Sequence, residues 1–308
     1  MRVRNFLFWC IVIVFMVSCE QDTDVAPPEF VKKPFINCFL CPESQDIFAE
    51  LTYTKPYFGV RENVDEYILN ANVKLIDLSV ADTSELILQN AQGIYKTTQS
   101  EIKIVENHQY KLEVRTPDGQ YFSAMSTVPP KVDLANFEVT FLKVGAPILD
   151  SSGFGPGGPG GPGGPGTVYE RNPFTLEYYY NGNLDRKFYI NCQLEALMVN
   201  KSNQLLSVEI VNRGENDFLR SNSEGKIRTF VNREFNSGFG LNGPWTVSQI
   251  SGTIFTVDEP YRNFYISQNN ENSIDFFSEP VLMISNWSTG AIGFFGSYNF
   301  VQGKIYQK

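Results

Sequence analysis

Between residues 34 and 130 the apolar side chains recur at every second position, in short runs broken by turn-forming residues. Tyr110, Leu112 and Val114 alternate with Lys111, Glu113 and Arg115. A period of two places one set on a single face of an extended strand, which a helix cannot do. Pro117-Asp118-Gly119 then interrupts the pattern and Tyr121 resumes it. Gly119 supplies the positive φ that such a turn requires, so a hairpin is predicted. Phe35 to Leu40 is apolar, Ile47, Ala49, Leu51 and Tyr53 alternate, and so do Ala71, Val73 and Leu75. Leu86 to Leu88 and Ile94-Tyr95 add short runs. About seven short strands in about 100 residues predict a β-sandwich over 34–130. Val128-Pro129-Pro130 closes it, because consecutive prolines cannot continue a ladder.

Residues 131–308 read as a second β-rich unit, a sandwich or a barrel-like closure. Phe174 to Tyr180, Lys187 to Val199, Leu205 to Val211, Arg228 to Val231 and Trp245 to Phe255 are rich in aromatic and β-branched residues. Gly-Pro-Gly repeats from Gly155 to Gly166, within a low-complexity stretch at 153–166, predict a mobile surface loop. One segment breaks the strand pattern. Asp258 is placed to cap a short helix with Pro260 in its first turn. Tyr261, Phe264, Tyr265 and Gln268 then fall at spacings of three and four.

Residues 1–18 read as an export signal. Arg2 and Arg4 precede an apolar run from Asn5 to Val17, too short to span a bilayer, which takes about 20 residues. Met16-Val17-Ser18-Cys19 resembles a bacterial lipobox, so Cys19 is the expected site of lipidation and the first residue of the mature chain. Residues 19–33 are the expected lipidated tether. Glu20, Asp22 and Asp24 look like the acidic export tag of Bacteroidota surface lipoproteins. Loss of the signal leaves 23 basic against 34 acidic residues, a net charge of −11. That balance argues against nucleic acid as a partner.

Three cysteines remain once Cys10 is cleaved away and Cys19 is lipidated. Cys38, Cys41 and Cys192 are expected as a structural disulfide or as buried thiols. Cys38 and Cys41 lie three apart on a predicted strand, about 10 Å, so a bridge between them needs a turn at Cys41-Pro42. His108 is the single histidine, placed in a polar turn and expected to be exposed. It excludes multi-histidine metal sites and makes a histidine-based triad implausible. No phosphate loop, dinucleotide fingerprint or hydrolase elbow is present, and no cofactor or metal is called for. Tyr178-Tyr179-Tyr180 and Trp245 are expected in the core, with sugar stacking as the alternative.

The C-terminal segment carries a resemblance. Phe277-Ser278-Glu279-Pro280-Val281, then Ser285-Asn286, then Gly293-Phe294-Phe295-Gly296-Ser297-Tyr298 resemble the ending of a Bacteroidota lipoprotein family, domain of unknown function 4249. Asp275-Phe276, Trp287 and Ala291-Ile292 depart from that pattern. Asn70 to Leu75, Gly93-Ile94-Tyr95 and Tyr110 to Val114 are similar to the Ig-like or transthyretin-like β-domain that opens such proteins. The resemblance implies outer-membrane lipoproteins, often encoded beside TonB-dependent receptors, with no catalytic residues assigned. Phe277, Ser278, Glu279, Pro280, Val281, Asn286, Gly293, Phe295, Gly296 and Tyr298 are expected to serve packing.

The expected function is that of a non-enzymatic, exterior-facing outer-membrane lipoprotein, an accessory or ligand-capturing subunit of a TonB-dependent transporter. A structural or adhesive surface protein is the rival reading and a surface hydrolase the weakest.

Overall fold

The computed structural model describes residues 30–55, 66–145, 148–150, 169–210, 218–220, 227–236, 244–271, 285–288 and 290–308. Cys19, the Gly/Pro stretch at 153–166 and Phe277 to Val281 lie outside them. The molecule is mainly β, with one large mixed sheet and one small sheet.

The first half supplies β1 (Pro34–Leu40), β2 (Asp46–Tyr53), β3 (Asn72–Asp77), β4 (Asp82–Leu88), β5 (Ile94–Thr98), β6 (Gln109–Arg115) and β7 (Tyr121–Thr127). Alternation is what makes these segments strands. In β6, Tyr110, Leu112 and Val114 are buried while their neighbours reach solvent. The β6–β7 hairpin closes where Thr116 O accepts from Gly119 N at 2.9 Å, with Gly119 at φ +87°. Strand β4 turns a corner. Val73 to Asp77 of β3 pair with Asp82 to Leu86, whereas Ile87 and Leu88 pair with β5. The sheet therefore folds back on itself. Ile36, Leu51 and Tyr95 from one layer pack with Val73, Leu112 and Phe122 from the other in a single core.

The second half supplies β8 (Phe137–Val144), β9 (Ile148–Asp150), β10 (Tyr169–Tyr180), β11 (Tyr189–Asn200), β12 (Leu205–Ile210), β13 (Phe218–Leu219), β14 (Ile227–Asn236), β15 (Trp245–Val257), helix α1 (Glu259–Glu271) and β16 (Ile292–Gln307). The small sheet, β14-β10-β8 with β9 on β10, faces β11, β12, β15 and the end of β16. Phe174, Leu176 and Tyr178 meet Leu194, Met198, Ile250 and Ile254 between the layers. Tyr178 and Tyr180 are buried, and so is Trp245 at 3% exposure, which leaves Tyr179 as the only ring of the group at the surface.

Strand β16 belongs to both halves. Ile292 to Ser297 run parallel to Phe35 to Leu40 of β1. Tyr298 to Gln307 run antiparallel to β15. Every other pairing among the described strands is antiparallel. Parallel strands are stable when both faces are covered, and Gly293 to Ser297 are buried without alternation. Phe295 points into the first core, fully buried. The opposite face is covered by α1, where Phe264 meets Phe294 at 5.3 Å and Phe39 at 4.8 Å.

Gly293 makes the parallel pairing possible. Its φ is +115°, and a Cβ there would lie 2.2 Å from Ile36 O. Gly293→Ala therefore combines backbone strain with a collision that β1 cannot relieve. Gly119→Ala carries strain alone, since nothing lies within 4 Å of the added carbon. The second change is expected to cost about 1 kcal/mol and the first at least twice that. Urea unfolding of the two variants checks the ranking; equal losses would show that β1 and β16 are not held this closely.

Candidate functional site

The chemistry-bearing residues gather where the two halves meet, around Asp258 at the start of α1. Chain geometry puts it there. Strand β15 ends at Val257, and the next residue must both leave the sheet and open a helix. Asp258 Oδ1 accepts from Tyr261 N at 3.0 Å, satisfying one of the free N–H groups of the first turn. The same oxygen accepts from Ser297 N at 3.0 Å, on β16. Oδ2 accepts from the Ser126 hydroxyl at 2.6 Å, on β7. The Ser126 and Ser297 hydroxyls also touch each other. One carboxylate thus joins β7, β16 and α1.

Asp258 is 4% exposed. Burial pushes its carboxyl up to about 7, and the donors from Ser126, Ser297 and Tyr261 hold back part of that rise. A pocket of about 160 Å³ opens beside it, lined by Met125, Ser126, Lys187, Phe188 and Glu259 among others. No imidazole joins the pair of serines, and Lys187 reaches back to Asp185 at 3.5 Å. What the set can do chemically is hold or release one proton near neutral pH.

The signature residues surround this junction. Asn286 Oδ1 accepts from Phe295 N at 2.9 Å, and Asn286 Nδ2 donates to Phe295 O at 2.8 Å. The side chain amide thereby replaces a neighbouring strand on the side of β16 that β1 does not cover. It also donates to Met125 O at 3.2 Å, tying β16 to β7. Trp287 Nε1 donates to Ile36 O at 2.9 Å. Gly296 lets α1 descend onto the sheet, since a Cβ there would lie 2.8 Å from Tyr261 N. The Tyr298 ring packs against Tyr261 at 5.1 Å, tilted by 42°, and burial pushes its hydroxyl up to about 12.

Cys38, Cys41 and Cys192 are free thiols in three separate places. Cys38 packs in the first core, where burial pushes its thiol up to about 12. Cys192 of β11 is likewise pushed up to about 12 by burial. Cys41 follows β1, where the chain turns through Ser44 N donating to Cys41 O at 3.1 Å, and burial raises its thiol too. None is poised as a thiolate nucleophile.

The expectation of an exposed His108 is corrected. Its Nδ1 lies 2.7 Å from Asp77 Oδ2, and its side chain is 25% exposed. The β3–β6 register places Asp77 opposite Tyr110, within reach of the turn that precedes it. Burial would raise the Asp77 carboxyl, but the hydrogen bond from His108 and the Ser79 N–H hold it below its ordinary value.

The titration of Asp258 has a sign. A carboxyl near 7 in the folded chain and about 3.9 in the unfolded one binds more protons when folded between those values. Stability from this group is therefore full below pH 4 and is lost as pH rises toward 7, by an amount on the order of a few kcal/mol. Asp258→Asn removes the dependence. The stability of wild type relative to Asp258→Asn is expected to fall between pH 4.5 and pH 7.5 in urea unfolding; a difference that stays constant or grows would contradict the burial described above.

No curated protein matches the chain. A family model described as Domain of unknown function (DUF4249) matches residues 20–304. That span runs from the position after Cys19 to Lys304 on β16, and it takes in Asp258 and Asn286. The chain belongs to the DUF4249 family.

Proposed function

We propose that this chain is a lipid-anchored outer-membrane protein, facing the cell exterior, that serves a TonB-dependent transporter as a non-enzymatic accessory or ligand-capturing subunit. The observation that carries the reading is the order of segments at the N-terminus. A basic start, an apolar run, Met16-Val17-Ser18-Cys19 and three acids in the next five residues stand before the first strand. The first core strand begins at Pro34, 15 residues beyond Cys19. A chain of that length reaches about 50 Å at full extension. Lipid on Cys19 would confine the β-rich body to a layer of that depth. Confinement raises effective concentration, so a weak contact with a membrane protein becomes persistent.

The described side chains with reactive potential also support a binding role over catalysis. His108 serves Asp77, Cys38 and Cys41 are buried, the half-buried Cys192 has its thiol pushed up to about 12, and Asp258 serves the helix cap.

The test is extraction of the tagged lipoprotein from outer membranes in mild detergent, beside Cys19→Ser. A TonB-dependent transporter should be recovered with the wild-type chain in near-equal amount. Cys19→Ser should move to the soluble fraction and lose that partner. Recovery of the wild type alone, or membrane retention of Cys19→Ser, would overturn the reading.

A further inference from the structure

The pocket of about 160 Å³ beside Asp258 lies where three stretches of chain converge. Gln109 opens β6 and Thr127 closes β7, and the two stand opposite each other in the register. Lys187 and Phe188 come from the turn into β11, which closes where Phe188 N donates to Asp185 O at 3.0 Å. Glu259 and Pro260 begin α1, and Asp258 immediately precedes it. Ser126, Phe188 and Asp258 are buried and make the floor. Gln109, Met125, Lys187 and Glu259 are exposed and ring the mouth.

The lining carries charges of both signs. Lys187 Nζ lies 4.9 Å from the centre of the Phe188 ring, which places its ammonium against a residue of the floor. Asp185 accepts from it at 3.5 Å, and an ammonium has three donors to give. Glu259 brings a carboxylate to the same mouth. The Asp258 carboxyl is engaged by Ser126, Ser297 and Tyr261, so it shapes the field of the floor and leaves direct contact to Glu259. A ligand of one sign meets a like charge here. A lone anion faces Glu259 and Asp258, a lone cation faces Lys187, and such contacts select against both. A ligand that carries an ammonium and a carboxylate meets Glu259 with one and Lys187 with the other.

We infer that this pocket binds a small zwitterion, an α-amino acid with an aliphatic side chain. Size limits the choice, since the volume is well below the roughly 300–1,000 Å³ of pockets that hold drug-sized ligands. Met125, Phe188 and Pro260 supply the apolar wall for a short aliphatic chain. An ammonium held at Glu259 also favours the ionised form of the neighbouring Asp258, which burial alone disfavours. The inference rests on the ligand-capturing form of the reading above and names the chemistry of the ligand, but it is tested on the purified chain. Failure here leaves the lipid anchor and its transporter standing, and failure there leaves the amino-acid pocket standing.

The experiment is calorimetric titration of the full lipidated chain in detergent with L-leucine, and separately with leucinamide, which lacks the carboxylate, and N-acetylleucine, which lacks the ammonium. Saturable binding of one equivalent of leucine is expected, with each analogue weaker by about fivefold or more, the loss of one charge contact near a surface. Lys187→Gln and Glu259→Gln should each weaken leucine by a similar factor. Lys187→Gln should bring leucine and N-acetylleucine no closer in affinity, whereas Glu259→Gln should bring them together, because only Glu259 reads the ammonium. Both side chains are exposed, so both variants should fold as the wild type does. Absence of saturable leucine binding, equal affinity for all three compounds, or unchanged leucine affinity in the two variants would overturn the proposal.

Discussion

The fold depends on one parallel pairing between the last strand and the first. Phe294 N donates to the Asn37 side chain across 257 positions of sequence, at 3.1 Å. Trp287 reaches the Ile36 carbonyl across 251. Contacts of that separation bring a large loop-closure cost before they return any energy. The return comes from burial. Phe295 enters a core otherwise made by residues 36–128, joined there by Trp287 and Ala291. A buried phenylalanine of this kind contributes about 3–5 kcal/mol, a large part of a total stability of about 5–15 kcal/mol. The first core is thus incomplete until the end of the chain arrives.

Asp258 makes this closure polar as well as apolar. Its carboxylate meets donors from β7, β16 and α1, so the helix can start only where β16 already lies beside β7. Desolvation of the carboxyl opposes the arrangement, and the hydrogen bonds offset it in part. Helix α1 then covers β1 and β16 through Phe39, Phe264 and Phe294, which lets a parallel pair persist near the surface.

Much of this was legible in the sequence, for physical reasons that also mark the limit. Period-two alternation names the buried face, so β2, β6 and β7 were readable from Ile47, Leu112 and their neighbours. The helix was readable because Asp258 caps it and Tyr261, Phe264 and Tyr265 share one side. Alternation does not name a strand's partner. The continuous burial of Gly293 to Ser297 was the one sign that β16 is covered on both faces, and glycine and serine do not register as core residues. A boundary at 130 divides the two cores, yet 287–297 returns to the first. His108 was misread because its partner, Asp77, comes from another strand.

Native-state hydrogen exchange tests the closure most directly. If β16 completes both cores, the amides of 35–40, of 292–297 and of 298–307 should exchange through one opening, with the same free energy and the same dependence on denaturant. Exchange of 35–40 and 292–297 at markedly lower free energy than 298–307 would contradict the account. It would mean that the parallel pairing lies on a finished fold instead of holding it together.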